Sequence, residues 1–184
     1  MQAPRFSAVV TTVLLSASVM LPVTAAAKES PLARGAYLNS IMGCGDCHMP
    51  MKMGPKGPEP DLARGLSGHP QDLALPPPPA AAGPWIWGGS GSMTAFYGPW
   101  GISYSANLTP DKETGIGNWT YEQFSKSMRT GKHLGVGRPI LPPMPWQSVG
   151  RLSDRDMAAL FRFLMAQPPV KNAVPAFQPA PPRG

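Results

Sequence analysis

The sequence lacks several features that common functional classes require. Only two of its 184 residues are cysteine, and only 14% are charged. It contains no run of basic residues and no base-stacking motif, which argues against nucleic-acid binding. It also shows no pairing of a nucleophile with a base, no phosphate-binding loop and no paired carboxylates, so it does not indicate the enzyme classes that depend on them.

Proline and glycine are abundant, with 25 and 20 residues respectively, and this composition predicts long loops. The formal net charge of +6 favours a protein partner with an acidic surface. Three basic residues near the end of a predicted helix are candidates to pair with such a partner or with a bound anionic group: Arg129, Lys132 and Arg138.

Residues 1–27 have the three parts of a secretory signal peptide. Arg5 precedes an apolar run over residues 6–21, and the small residues 25–27 provide a cleavage site. We therefore expect export to the periplasm, with cleavage after Ala27. The alternative is that the segment is retained as a membrane anchor, because the apolar run approaches the length of a transmembrane helix.

Cys44, Cys47 and His48 form the pattern C-x-x-C-H, the attachment signature of c-type haem. In this chemistry each cysteine adds to a vinyl group of the porphyrin, and the histidine becomes the fifth ligand of the iron. Three other interpretations are a redox-active dithiol, a disulfide across a very short loop, and a zinc site completed by His69 and His133. The export signal favours one covalent haem, because attachment by this route takes place outside the cytoplasm.

Met144 is the predicted sixth ligand. It lies between Pro142, Pro143 and Pro145, which restrict the loop and lower the entropic cost of holding a weak thioether ligand at a metal. The alternative is a bis-histidine site completed by His69 or His133, with Met144 as a buried loop residue.

Three methionines that directly follow His48 are poor candidates for the sixth ligand: Met49, Met51 and Met53. They start on the same side of the porphyrin as His48. Even a fully extended chain spans only about 17 Å over the five steps to Met53, which leaves little length to pass around the ring.

Three helices are predicted from their end signals. The first has Ser30 as N-cap and Pro31 at its first position, and it extends to about Met42. Gly35 lies within it and suggests a close crossing by another helix, because an interior glycine costs about 1 kcal/mol relative to alanine.

The second and third helices each begin with a predicted capping box. The second starts at Thr120, with Gln123 as its partner, and ends near Gly131. The third follows Ser153, with Asp156 as the partner, and prolines stop it. Its apolar stripe is predicted to pack in the core: Met157, Leu160, Phe161 and Leu164.

Residues 49–101 are predicted to form a long Pro/Gly-rich insertion without regular structure. Its aromatic residues argue against disorder, so we expect an ordered flap over the haem edge or against a partner. Residues 28–174 would then form the single domain, and residues 175–184 an extended surface tail.

Three stretches resemble exported cytochrome c domains of the class I type that serve as partners or subunits of bacterial dehydrogenases. They are RGAYLNSIMGCGDCHMP, ANLTPDKETGIGNWTYEQFSKSMRTGKH and LPPMPWQSVGRLSDRDMAALFRFLMAQPPVKN. The resemblance implies an all-α fold of three main helices around one haem, in which the first and last helices cross. It places Gly35 and Tyr37 against Phe161 at this crossing, and it implies His48 and Met144 as axial ligands.

The expected function is therefore that of an electron carrier and not of an enzyme. A single C-x-x-C-H motif predicts one haem c, in contrast to the three motifs of multihaem dehydrogenase subunits. The expected partners are redox proteins: a dehydrogenase, and a terminal oxidase or another cytochrome. The alternative is a haem-based sensor or a peroxidase-like protein with a displaceable sixth ligand.

Overall fold

The computed structural model describes residues 28–79 and 84–180. The predicted signal peptide, residues 1–27, lies outside the described residues, as do four residues of the proline-rich segment and the last four of the tail. Five α-helices lie in the described ranges: α1 Pro31–Ile41, α2 Cys44–His48, α3 Tyr121–Thr130, α4 Trp146–Val149 and α5 Asp154–Met165. Six short strands accompany them: β1 Met51–Gly54, β2 Gly57–Pro60, β3 Gly88–Gly89, β4 Ala95–Gly98, β5 Gly101–Tyr104 and β6 Gln178–Pro179.

The three predicted helices are confirmed as α1, α3 and α5, with their predicted N-caps. The Ser30 hydroxyl accepts a hydrogen bond from the Ala33 amide at 3.1 Å and so caps α1. Thr120 and Gln123 form the complete reciprocal capping box of α3, which ends at Gly131. These local hydrogen bonds satisfy amides that the helix itself leaves free, which explains why the sequence marks the helix starts.

The start of α5 differs from the prediction in one respect. The Ser153 hydroxyl accepts from the Asp156 amide at 3.1 Å, as expected. The Asp156 carboxylate, however, receives a bidentate hydrogen bond from Arg34 of α1, with nitrogen–oxygen distances of 2.8 and 3.1 Å. This acidic residue therefore connects two helices in addition to lying at the start of one.

Helices α1 and α5 pack against each other, as the resemblance implies. A Cβ atom placed on Gly35 would collide with the carbonyl oxygen of Ala159 and lie 2.6 Å from the Cβ of Phe163. The predicted involvement of Phe161 was wrong, because its ring packs on Phe124, with a centroid distance of 5.2 Å. Tyr37 is half exposed and lies beside the Arg34 guanidinium.

The hydrophobic core gathers around these helices. The predicted α5 stripe supplies Met157, Leu160 and Leu164, each at most 2% exposed. The other buried members of the core come from α1, α3, α4, α5 and the connecting loops: Leu38, Leu66, Ile116, Phe124, Val149 and Ala159. Met144 and Trp119 are half-buried and pack against this cluster.

The prediction of a purely all-α fold was wrong, because residues 49–101 contain regular structure. Strands β1 and β2 form an antiparallel hairpin, and β3, β4, β5 and β6 form a four-stranded antiparallel sheet in that order. The turn between β1 and β2 and the turn between β4 and β5 have the sequence Gly-Pro-x-Gly, at residues 54–57 and 98–101. The last glycine of each turn has a φ of 115° or 110°, a backbone conformation that favours glycine.

The described part of the predicted tail, residues 175–180, includes a short strand. Gln178 and Pro179 form β6, which lies opposite Ile102 and Gly101 of β5. This segment therefore completes the edge of the four-stranded sheet. Among the described residues, no helix has the length and apolarity needed to cross a membrane.

Candidate cofactor site

Helix α2 carries all three residues of the C-x-x-C-H motif. Cys44 and Cys47 are three positions apart on this short helix, so their side chains lie on neighbouring parts of its surface. Both thiols are half-buried, and they are not joined in a disulfide. The motif therefore presents two thiols and one imidazole from a single helical segment.

The environment of Cys44 is unlike that of a redox-active thiol. Burial raises the pKa of the Cys44 thiol to about 11, and burial also raises the pKa of Cys47. Redox-active C-x-x-C pairs lower the pKa of the attacking cysteine, because the thiolate is the nucleophile. The structure therefore argues against the redox-dithiol interpretation of this motif.

His48 is buried, with 8% of its surface exposed, and its ring is fixed by a hydrogen bond. Its Nδ1 lies 2.8 Å from the carbonyl oxygen of Ala106. A carbonyl can only accept, so Nδ1 carries a proton and Nε2 keeps its lone pair in the neutral ring. Burial lowers the pKa of His48, although the Ala106 carbonyl opposes this effect. The result is a neutral imidazole whose orientation is set by a backbone oxygen, as is typical of histidines that ligate metals.

Met144 lies in a loop between the 3-10 turn His133–Gly135 and α4. The Met144 amide donates to the Leu141 carbonyl at 3.3 Å, and the Met144 carbonyl accepts from the Trp146 amide at 2.9 Å. Its half-buried side chain packs against the hydrophobic core. The loop thus presents a thioether at the inner side of the fold.

The four-stranded sheet contacts this methionine loop through Ser103 of β5. The Ser103 hydroxyl donates to the Pro142 carbonyl oxygen at 2.6 Å, and it accepts from the Trp100 indole nitrogen at 3.2 Å. Neither Ser103 nor Ala106 is predicted from the sequence. The partner of Ser103 is a carbonyl 39 positions away, and Ala106 acts through its backbone, so neither leaves a signal in the residue pattern.

The two other histidines occupy different positions. His69 is fully buried, and both ring nitrogens are engaged, by the Thr94 hydroxyl at 2.9 Å and by the Leu73 carbonyl at 3.1 Å. His133 is exposed and stacks edge-on against Trp119, with 5.1 Å between the ring centroids. Within the described ranges, no three His, Cys, Asp or Glu side chains gather as a metal site. This geometry supports neither the zinc interpretation nor His69 as an axial ligand.

Of the methionines that follow the motif, Met49 caps the end of α2, and Met51 and Met53 lie in β1. Met49 is half-buried and packs against the core, whereas Met53 in β1 is 78% exposed. Of the predicted basic cluster, Arg129 is already engaged by Asp154 and by the carbonyls of Gly150 and Leu152. Lys132 and Arg138 are exposed.

Comparisons with known proteins find subunits of bacterial dehydrogenases, among them cytochrome subunits. Over 170 residues, or 89% of its length, the chain is 31% identical to the fructose dehydrogenase cytochrome subunit of Gluconobacter japonicus. Over 67 residues, or 36% of its length, it is 46% identical to the cytochrome c subunit of the quinone alcohol dehydrogenase of Gluconobacter oxydans. The chain is homologous to the cytochrome c subunits of bacterial dehydrogenases. No family model matches the chain.

A third relative of this cytochrome c homologue is a nicotinate dehydrogenase subunit of Pseudomonas putida, with 45% identity over 80 residues, or 44% of the chain. The chain spans 28%, 14% and 7% of the fructose, alcohol and nicotinate dehydrogenase relatives respectively. The cytochrome c homologue therefore corresponds to a part of each larger protein.

The side chains present in the cytochrome c homologue fit a covalent haem. Two unpaired thiols precede a neutral imidazole whose Nδ1 is already hydrogen-bonded, so Nε2 is the nitrogen left for a metal. A thioether is available from a separate loop, and Met144 packs on the same core as Met42 and Met49, the two residues that flank this region of the motif. Nitrogen and sulfur donors of this kind suit iron in a porphyrin better than a hard cation.

Proposed function

We propose that the protein is a mono-haem c-type cytochrome that transfers single electrons. Cys44 and Cys47 would attach the haem covalently, and His48 and Met144 would be the axial ligands. The observation that carries this proposal is the arrangement on α2, where two free thiols precede a buried, neutral histidine oriented by the Ala106 carbonyl. When bound, haem supplies the reversible one-electron change, and the protein sets its potential through the ligands and the burial.

The residues of the chain have simple tasks in this function. The Ala106 carbonyl keeps the Nδ1 proton of His48 in place, which fixes the ring and increases the basicity of Nε2. The core around α1 and α5 excludes water from the inner side of the site. The loop of Met144 holds a weak ligand that has little conformational freedom, because three of its residues are proline.

The proposed electron donor is a dehydrogenase, and the proposed acceptor is a terminal oxidase or another cytochrome. The relatives support the donor, since they are named as subunits of dehydrogenases. The positive net charge favours acidic docking surfaces on both. We place the protein in the periplasm on the basis of the signal-like residues 1–27 and the chemistry of haem c, and we propose that it carries electrons without catalysing a reaction itself.

The test of this function is the identity of the sixth ligand. Ferric methionine-ligated haem c has a weak near-infrared absorption band, which we expect in the purified wild-type protein. The band should disappear in Met144→Ala, and the reduction potential should fall, because a thioether favours ferrous over ferric iron more than the water or hydroxide that would replace it. Met53→Ala is the matched control: this methionine is 78% exposed in β1, and its removal should leave both properties unchanged.

Two results would contradict the proposal in different ways. If the denatured protein gives no haem stain, it carries no covalently bound haem, and this result would refute the role of Cys44 and Cys47. Haem-containing protein whose spectrum is the same before and after Met144→Ala would refute the axial role of Met144. If such a protein also bound carbon monoxide or cyanide readily, the function would be sensing or peroxidase-like chemistry.

A further inference from the structure

We propose that Ser103 is a positioning residue for Met144, and that the four-stranded sheet serves to hold the methionine loop in place. This inference rests on the proposed function, because it assigns a role at the sixth-ligand position. It assigns a structural role to the segment between the haem motif and α3, namely support of the methionine loop. The sheet would keep the thioether at its position against the competition of other ligands.

The geometry around Ser103 supports a directed contact. Ser103 is 8% exposed, and its hydroxyl hydrogen has one short acceptor, the Pro142 carbonyl at 2.6 Å. A second acceptor, the Phe96 carbonyl, is much farther away at 3.4 Å. The Trp100 indole donates to the Ser103 oxygen and so orients the hydroxyl toward the loop. A buried and oriented hydroxyl loses little entropy when it forms such a bond.

The methionine loop needs support from outside because of its own composition. Pro142, Pro143 and Pro145 have no amide hydrogen, so this segment makes few backbone hydrogen bonds of its own. It is held before Met144 by the bond from the Ile140 amide to the Gly131 carbonyl, at 2.8 Å. After Met144 it is held by α4. The Ser103 contact lies between these two anchors, two residues before Met144.

The contact also joins two parts of the chain that are 39 positions apart in the sequence. Ser103 belongs to β5, the strand that pairs with both β4 and β6. Pro142 belongs to the loop that follows α3 and its 3-10 turn. Removing the hydroxyl should therefore leave the sheet formed, because the strands pair through backbone atoms, but it should release the loop.

The experiment measures how easily Met144 is displaced. Ferric holoprotein is titrated with imidazole, which binds when the methionine leaves the iron. Ser103→Ala removes one hydrogen bond that favours the conformation in which Met144 ligates the iron. The population in which Met144 has left the iron should therefore rise, and the apparent imidazole affinity of this variant should increase by about fivefold to tenfold. Trp100→Phe, which removes the orienting donor and keeps an aromatic ring, should change the affinity in the same direction by a smaller factor.

Two further variants separate positioning from general stability. Ser103→Thr keeps the hydroxyl and should bring the imidazole affinity back toward the wild-type value. Ser92→Ala removes a buried hydroxyl next to the same sheet, where its bonds are to Ser90 and Thr94 and not to the methionine loop. It should leave the imidazole affinity unchanged, even if it lowers the melting temperature.

The inference is overturned if Ser103→Ala and Ser92→Ala change the imidazole affinity equally, or if neither changes it. These results leave the proposed function standing, provided that the wild-type protein shows the near-infrared band and Met144→Ala loses it. If the wild-type protein lacks the band, the proposed function is refuted, and the role of Ser103 is refuted too because it depends on that function. The two failures are therefore distinguishable.

Discussion

Gly35 determines how closely α1 and α5 approach each other. The space where its side chain would be is filled by the Ala159 carbonyl and by the Cβ of Phe163. The carbonyl belongs to the backbone of a helix and cannot rotate away. Any side chain at this position therefore forces the two helices apart.

We expect Gly35→Ala to destabilise the protein by about 1–3 kcal/mol, as is typical of overpacking in a tight core. Alanine is intrinsically the better helix residue by about 0.5–1 kcal/mol, but this gain is smaller than the cost of the collision. The measurement is the free energy of unfolding in urea. Ser40→Ala on the exposed side of α1 is the control and should be neutral or slightly stabilising, and the same result for Gly35→Ala would disprove the close crossing.

At the scale of elements, α1 and α5 are also joined by the ion pair of Arg34 and Asp156. The Arg34 guanidinium donates to the carboxylate and holds the pKa of Asp156 below its ordinary value. A carboxyl whose pKa is lower in the folded state contributes stability above its unfolded pKa of about 3.9. That contribution is lost as the pH falls through the folded pKa.

Arg34→Gln should therefore reduce stability at pH 7, and its difference from the wild type should shrink as the pH falls below about 4. Unfolding in urea at a series of pH values measures this difference. Arg162→Gln removes an exposed arginine from α5 itself and should show no such pH dependence. A difference between Arg34→Gln and wild type that stays constant as the pH falls to about 2 would show that the ion pair is not its source.

The elements also show what the sequence can and cannot predict. The starts of α1, α3 and α5 were predictable because their caps are local, with donor and acceptor three residues apart. The two hairpins were missed because their strands are short and rich in glycine and proline, a composition that is typical of loops. The repeated Gly-Pro-x-Gly turns at 54–57 and 98–101 were an available hairpin signal, each flanked by residues that pair across the strands.

The residues of the candidate site also differ in how far the sequence predicts them. Cys44, Cys47 and His48 were identifiable because the attachment chemistry requires fixed spacing within a short motif. Met144 stays a prediction that rests on its proline-rich surroundings. The supporting contacts of Ala106 and Ser103 were not predictable, because they depend on how distant backbone segments meet.

At the scale of the whole molecule, Asn172 connects segments far apart in the sequence. It is 1% exposed, and its side-chain amide donates to the carbonyls of Ser67 and His69 at 2.7 and 2.8 Å. Its side-chain oxygen accepts from the Gln71 amide, and its own amide donates to the Thr114 hydroxyl. One residue thus fastens the segment after α5 to two separate loops.

Asn172→Ala should cost about 2 kcal/mol or more, because it leaves two buried carbonyls and the part-buried Gln71 amide without their partner. Thermal unfolding measures the loss. Asn118→Ala removes an exposed asparagine with a single bond to the Lys112 carbonyl and should cost much less. Equal losses in the two variants would mean that the buried network of Asn172 contributes no more than one surface bond.

The two halves of the candidate site share one support. The Ser103 hydroxyl holds the loop of Met144, and the Ala106 carbonyl, three residues further along the chain, holds the ring of His48. If Ser103 positions Met144 as proposed, a displacement of this short segment would move both donor groups together. The distance between the His48 imidazole and the Met144 thioether would then change less than if an independent loop held each of them. A constant distance between two ligands favours rapid electron exchange, because little structural rearrangement accompanies it.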